Sequence, residues 1–119
     1  MPGDGASITP GGRVLVPLQW VTVHGPSMVP TLSTGDVVLV RRGGRSRAGD
    51  VVLARFADLP GTLVLKRLRS HTPDGRAVLA SDNDAAGGDS RTHGPGEVLG
   101  RVLLVRHGRR LRRPAAPPL

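Results

Sequence analysis

The sequence predicts a mainly β domain with little helix. Three observations carry that expectation. Seventeen glycines and eleven prolines are spread along 119 residues, the apolar runs are short and built from Val, Leu and Ala, and no long stretch repeats apolar residues at helical spacing. Glycine and proline at that density punctuate short strands and turns. A chain of this length forms one domain around a single modest core.

Each element follows from local chemistry. Residues 1–12 read as a flexible lead-in. RVLVPLQWVTVHG (13–25) holds a short strand, a break at Pro17 and a second strand around Trp20–Val23. GDVVLVRR (35–42) and GDVVLARF (49–56) are near copies, each a β-branched run launched from a Gly-Asp turn. Two copies are too few for a solenoid and read as neighbouring strands of one sheet. A strand around Lys66 follows, and TPDGR (72–76) turns the chain into AVLAS (77–81). A polar loop, DNDAAGGDSRTHGPG (82–96), precedes the last strand, EVLGRVLLVRH (97–107). This makes about seven strands. The ordered domain spans 13–108, and 109–119 reads as a basic, Pro/Ala-rich disordered tail.

Composition removes several function classes. With no cysteine, a thiol protease, a Cys-based zinc site and a disulfide framework are excluded. The four histidines are scattered without metal spacing, so no metal or other cofactor is expected. No apolar run approaches the ~20 residues that span a bilayer. The N-terminus lacks a signal peptide's basic start and apolar centre, so a soluble, cytoplasmic protein is expected. The net charge of +8 invites a nucleic-acid reading. Five arginines of RHGRRLRRP (106–114) account for most of it, and one Trp, one Phe and no Tyr leave little for base stacking. Nucleic acid is not the expected partner.

Lys66 is the sole lysine among seventeen basic residues. Arginine stays charged, whereas a desolvated lysine can lose its proton and act as a base. Its apolar setting, Leu63-Val64-Leu65 before and Leu68 after, suits desolvation, although the same setting suits a snorkelling surface lysine. A base needs a nucleophile, and HGPSMVPTLSTGD (24–36) offers Ser27 on a tight turn between a strand and a short helical turn. The Ser27 N–H and the flexible backbone at Gly25 are the ingredients of an oxyanion site.

Taken together, GPSMVPTLSTGDVVLV, the lysine in LVLKRL and the later SDNDAAGGDSR resemble the signal peptidase family of Ser/Lys serine proteases, over roughly residues 20–105. The resemblance implies a signal peptidase-like catalytic domain, a coiled, barrel-like sheet with Ser27 as nucleophile and Lys66 as general base. It also implies oxyanion and substrate contacts from Gly25, Pro26, Ser27 and Met28. Asp82, Asn83, Asp89, Ser90 and Arg91 match the third family box, with Asp89 and Arg91 as an ion pair supporting the loop.

The chain departs from that family at three points. It has no spanning helices, which points to a cytosolic substrate. Gly25 stands where bacterial members often have an oxyanion serine. Gly87 stands where a serine supports the lysine, so Lys66 is expected to lose that contact, while Ser81 replaces the box's leading glycine. Within the family the chain looks most like the nickel-type superoxide dismutase maturation proteases. That subgroup implies one partner, the nickel superoxide dismutase precursor, from which a leader is cut. Two other readings stay open. One is a self-processing repressor-type Ser/Lys domain, for which AAGG (85–88) holds an Ala-Gly target. The other is a non-catalytic basic β-module that binds nucleic acid or a protein partner.

Overall fold

The computed structural model describes residues 17–86 and 88–118. Seven strands form one antiparallel sheet: β1 (Leu18–Thr22), β2 (Val37–Arg42), β3 (Val51–Phe56), β4 (Val64–His71), β5 (Ala77–Ala80), β6 (Gly96–His107) and β7 (Arg110–Arg112). A single short helix, α1 (Ser90–His93), precedes β6. The fold is thus mainly β with almost no helix, as the Gly/Pro density and short apolar runs predict.

The strands run in the order β1-β2-β6-β3-β4-β5, with β7 added to β6. Strand β6 organises the molecule. Its first half pairs with β3, its second half with β2, and at Gly96 it faces both Phe56 of β3 and Ala77 of β5. That last contact closes β6, β3, β4 and β5 into a small barrel. Register shifts opposite Leu39/Val40 and Leu53/Ala54 add the bends that let one strand serve both halves. Close approach explains two glycines in it. A Cβ at Gly100 would lie 2.6 Å from the Arg41 carbonyl oxygen, and one at Gly96 2.9 Å from Leu79 Cδ1.

Two core clusters result. One fills the barrel with Val52, Ala54, Phe56, Leu68, Ala77 and Leu79. The other packs Met28 and Leu32, from the chain after β1, against the valines of β2, β3 and β6. Strand β3 is buried on both faces and feeds both clusters.

Two expectations are corrected. The near-copy strands β2 and β3 are not neighbours, because β6 lies between them. Both are antiparallel to β6, so they run the same way, and parallel neighbours need a crossover of a dozen or more residues. The connection 43–50 is shorter than that. The segment 109–119, expected to be a disordered tail, contributes strand β7 at Arg110–Arg112. Strand β6 outruns β3, and β7 pairs with the edge left at Val105–His107. Beyond β7, the Ala115 carbonyl accepts a hydrogen bond from Arg67 Nη1 at 3.0 Å. The lead-in 1–12, the strand expected at 13–16 and Gly87 lie outside the described residues. Among those described, no helix is long and apolar enough to cross a membrane.

Candidate active site

Strand β1 delivers the chain to Ser27, and the return is pinned beneath it. Val23 N–H donates to the Asp36 carbonyl at 2.8 Å, and Gly35 N–H donates to the Val23 carbonyl at 2.9 Å. Between these pins, Leu32 N–H bonds the Met28 carbonyl to make one helical turn. Met28 and Leu32 are fully buried and anchor that turn in the core. Ser27 is left half-buried at its start, after exposed Gly25 and Pro26. Gly25 has φ +82°, a left-handed conformation that favours glycine. Among the described residues the Ser27 N–H makes no backbone hydrogen bond.

The buried Asp36 carboxylate closes the far end of this segment. It accepts from Ser33 N–H at 3.0 Å and meets His107 Nδ1 at 2.5 Å. Burial pushes its pKa up, but the Ser33 N–H, His107 and Arg112 outweigh burial and hold it below the ordinary aspartate value.

Lys66 lies on β4 and is only 5% exposed. Its Nζ donates to Ser81 Oγ at 2.9 Å. Burial depresses its pKa because the ammonium loses hydration, and the Asp89 carboxylate opposes that shift. Asp89 is itself buried. Burial raises its pKa, while hydrogen bonds from the Arg91 side chain and from the Arg91 and Ser81 N–H groups bring it below the ordinary value.

Ser27 and Lys66 line one cleft of about 330 Å³. The segments Val21–Gly25 and Thr62–Lys66 line it, together with the apolar side chains of Met28 and Leu53. His24 also lines it and is exposed.

The third box sits against the serine turn. Asn83 N–H donates to the Ser27 carbonyl at 2.9 Å, and its Nδ2 donates to the Pro26 carbonyl at 3.1 Å. Asp89 caps α1 through Arg91 N–H and pairs with the Arg91 guanidinium at 3.1 Å, which also reaches Asp84 at 3.0 Å. Ser90 Oγ accepts from Leu79 N–H at 2.8 Å.

Two features were missed by sequence reasoning. The first is the serine that meets Lys66. Gly87 lies outside the described residues, and the hydroxyl comes instead from Ser81, at the box's first position. The second is a buried clamp. Arg67 pairs with Asp82 through two bonds, Nη2 at 2.6 Å and Nε at 3.1 Å, with both side chains 3% exposed. Arg67 Nη2 also donates to Thr31 Oγ1, which donates to Asp82 Oδ2. The signal was present: each clamp residue lies within one of the three boxes, Arg67 directly after Lys66 and Asp82 directly after Ser81. Among the described residues no group of three or more His, Asp or Glu side chains is placed to hold a metal ion.

A barrel-like β domain whose cleft joins a turn serine to a buried strand lysine has the makings of a serine peptidase. The sequence matches the peptidase S24-like family over residues 14–103, and the chain belongs to that serine peptidase family. It is 36% identical to the mitochondrial ATP-independent inner membrane protease subunit 1a of Arabidopsis thaliana, over 69% of this chain and 66% of that protein. Mitochondrial inner membrane protease subunit 1 is 30% identical in Mus musculus and 28% in Homo sapiens, in each case over 71% of this chain and 66% of the relative. The chain therefore spans about two thirds of the length of these relatives.

Proposed function

We propose that the protein is a serine endopeptidase with a Ser27/Lys66 dyad that removes an N-terminal leader from a precursor in the cytoplasm. The observation that carries this reading is the shared cleft: a half-buried turn serine and a buried lysine with a depressed pKa line the same opening. Neutral Lys66 Nζ takes the Ser27 hydroxyl proton as Oγ attacks the scissile carbonyl. The oxyanion falls to the Ser27 N–H, with flexible backbone at Gly25 beside it. The tetrahedral intermediate collapses to an ester on Ser27, and the leaving amine takes the proton from Lys66. Water then attacks the ester, giving its proton to Lys66, and the acid product leaves as Ser27 regains its hydrogen.

Extended peptides bind by adding to strand edges. Strand β4 meets β5 only from Arg67 onward, so Val64–Lys66 present an edge on that side among the described residues. The segment Val21–Gly25 forms the other wall, and a small residue on the acyl side of the cut fits beside Gly25. The substrate we propose is the nickel superoxide dismutase precursor, on the strength of the subgroup resemblance.

Intact-mass spectrometry of that precursor tests the proposal, with wild type beside Ser27→Ala and Lys66→Arg. Wild type alone should remove the leader, because a guanidinium cannot serve as the base. Cleavage by either variant overturns the dyad. No cleavage by wild type removes the substrate, and a peptide library then replaces it. Self-processing is read in the same experiment from the mass of the protein alone at high pH.

A further inference from the structure

The family match ends at residue 103, yet the chain beyond it reaches back to both halves of the candidate site. Strand β6 runs on to His107, and β7 folds back along it with Leu111 opposite Arg106. This hairpin and the residues after it set three groups against the scaffold of the dyad. His107 Nδ1 meets the Asp36 carboxylate at 2.5 Å. Arg112 Nη2 donates to the Thr31 carbonyl at 2.8 Å. The Ala115 carbonyl accepts from Arg67 Nη1 at 3.0 Å.

Each contact answers a need of the residue it meets. The turn from Met28 to Leu32 closes one helical hydrogen bond, so its later carbonyls lack a partner within it. Thr31 is buried with its hydroxyl committed to Asp82, and Arg112 takes its carbonyl. A basic side chain suits that end of a helical turn. Asp36 joins the two arms of the serine segment: its carbonyl accepts from Val23 N–H, and its carboxylate accepts from Ser33 N–H. That carboxylate is buried, and a buried charge needs a partner, which His107 supplies. On the other side of the dyad, Arg67 follows Lys66 directly and divides its guanidinium among Asp82, Thr31 and the carbonyls of Gly49 and Ala115.

We propose that His107 and Arg112 are positioning residues, a clasp from outside the matched region that fixes the serine turn against the lysine strand. The inference rests on the Ser27/Lys66 reading. Neither residue lines the cleft, so neither touches substrate; they act by holding the segment that follows Ser27. A misplaced nucleophile loses rate before it loses affinity. Both side chains are exposed and belong to neither core cluster, so replacing them opens no cavity.

Steady-state cleavage of a peptide selected from a library tests the clasp. The full chain is compared with Arg112→Ala, Arg112→Lys, His107→Ala and His107→Asn, and with Arg109→Ala, in the exposed turn before β7, as control. Each alanine variant at 107 or 112 should lower kcat about fivefold, with KM within twofold. That is less than the full worth of a charged hydrogen bond, because the clasp acts on Ser27 through the turn. The lysine and asparagine variants keep a donor and should restore most of the rate. The double alanine variant should lose less than the product of the single losses, since both residues hold one segment. Unchanged kcat in both alanine variants, a rise in KM alone, or an equal loss in Arg109→Ala overturns the clasp. Hydrogen exchange separates this inference from the dyad, because it needs no substrate. The Leu32 N–H, bonded to the Met28 carbonyl, should exchange about fivefold faster in Arg112→Ala and His107→Ala, a larger change than at the amides of β3. If wild type cleaves no peptide, the dyad reading fails, and exchange alone decides whether these residues hold the serine turn. Unchanged exchange at Leu32 overturns that.

Discussion

Lys66 shows what one residue can be made to do by its surroundings. A neutral lysine amine has one lone pair and two N–H bonds, and only the lone pair can take the Ser27 proton. With Ser81 Oγ accepting one N–H at 2.9 Å, the nitrogen is held in one orientation. Ser81 is thus a positioning residue. Ser81→Ala should lower kcat about tenfold, the upper end of the roughly 0.5–1.5 kcal/mol that one hydrogen bond contributes, while KM changes less than twofold. Ser81→Thr, which keeps the hydroxyl, should restore most of the rate. A rise in KM alone, or no recovery with threonine, would show that Ser81 serves packing instead. The serine turn and the lone lysine were legible as motifs, because both carry unusual residues in order. The serine that meets the lysine was not, since alignment by box places that role at Gly87. Only the register of β4 against β5, Arg67 opposite Ala80, carries the chain to set Ser81 beside Lys66.

At the scale of elements, the clamp of Arg67, Asp82 and Thr31 ties the lysine strand, the third box and the serine turn together. An ion pair this deeply buried contributes little net stability as a pair, yet removing one partner strands the other's charge. Asp82→Ala should therefore cost about 3–5 kcal/mol in urea unfolding. Asp84→Ala, whose carboxylate meets Arg91 at the exposed surface, should change stability by less than about 1 kcal/mol. Equal losses would mean that the clamp is hydrated in solution. The tail belongs to this scale too: Arg112 Nη2 donates to the Thr31 carbonyl at 2.8 Å, so β7 braces the same turn. Sequence reasoning found six of the strands by their β-branched runs, because that signal is local. It missed β7 and the β2-β6-β3 order, because partner choice at a sheet edge depends on how far a distant strand extends. An arginine-rich segment looks solvated until a long β6 offers it an edge.

At the scale of the whole molecule, one ionisation must appear in two unrelated measurements. Burial lowers the Lys66 pKa in the folded protein, whereas in the unfolded chain it lies near the ordinary value of about 10.4. Below the folded pKa both states hold the proton, and the full cost of a buried ammonium weighs on folding. As pH rises from the folded pKa toward the unfolded one, the unfolded chain holds more protons than the native state, so stability increases. Lys66→Met removes the group altogether. This variant should be more stable than wild type at neutral pH, by a margin that shrinks as pH climbs toward 10. The midpoint at which the margin begins to close is the folded pKa of Lys66. If the neutral amine is the base, kcat/KM for a peptide substrate rises with pH through that same midpoint. Asp36 and Asp89, whose pKa values are lowered on folding, act at the other end. Their contribution is complete above the ordinary aspartate range and is lost as pH falls through their folded values, well away from the lysine window. The alkaline stability difference and the rate profile can thus be compared without interference. Coincident midpoints tie the rate to the buried lysine. Midpoints clearly apart would assign the kinetic ionisation to another group and remove Lys66 as the base, whatever its place in the cleft.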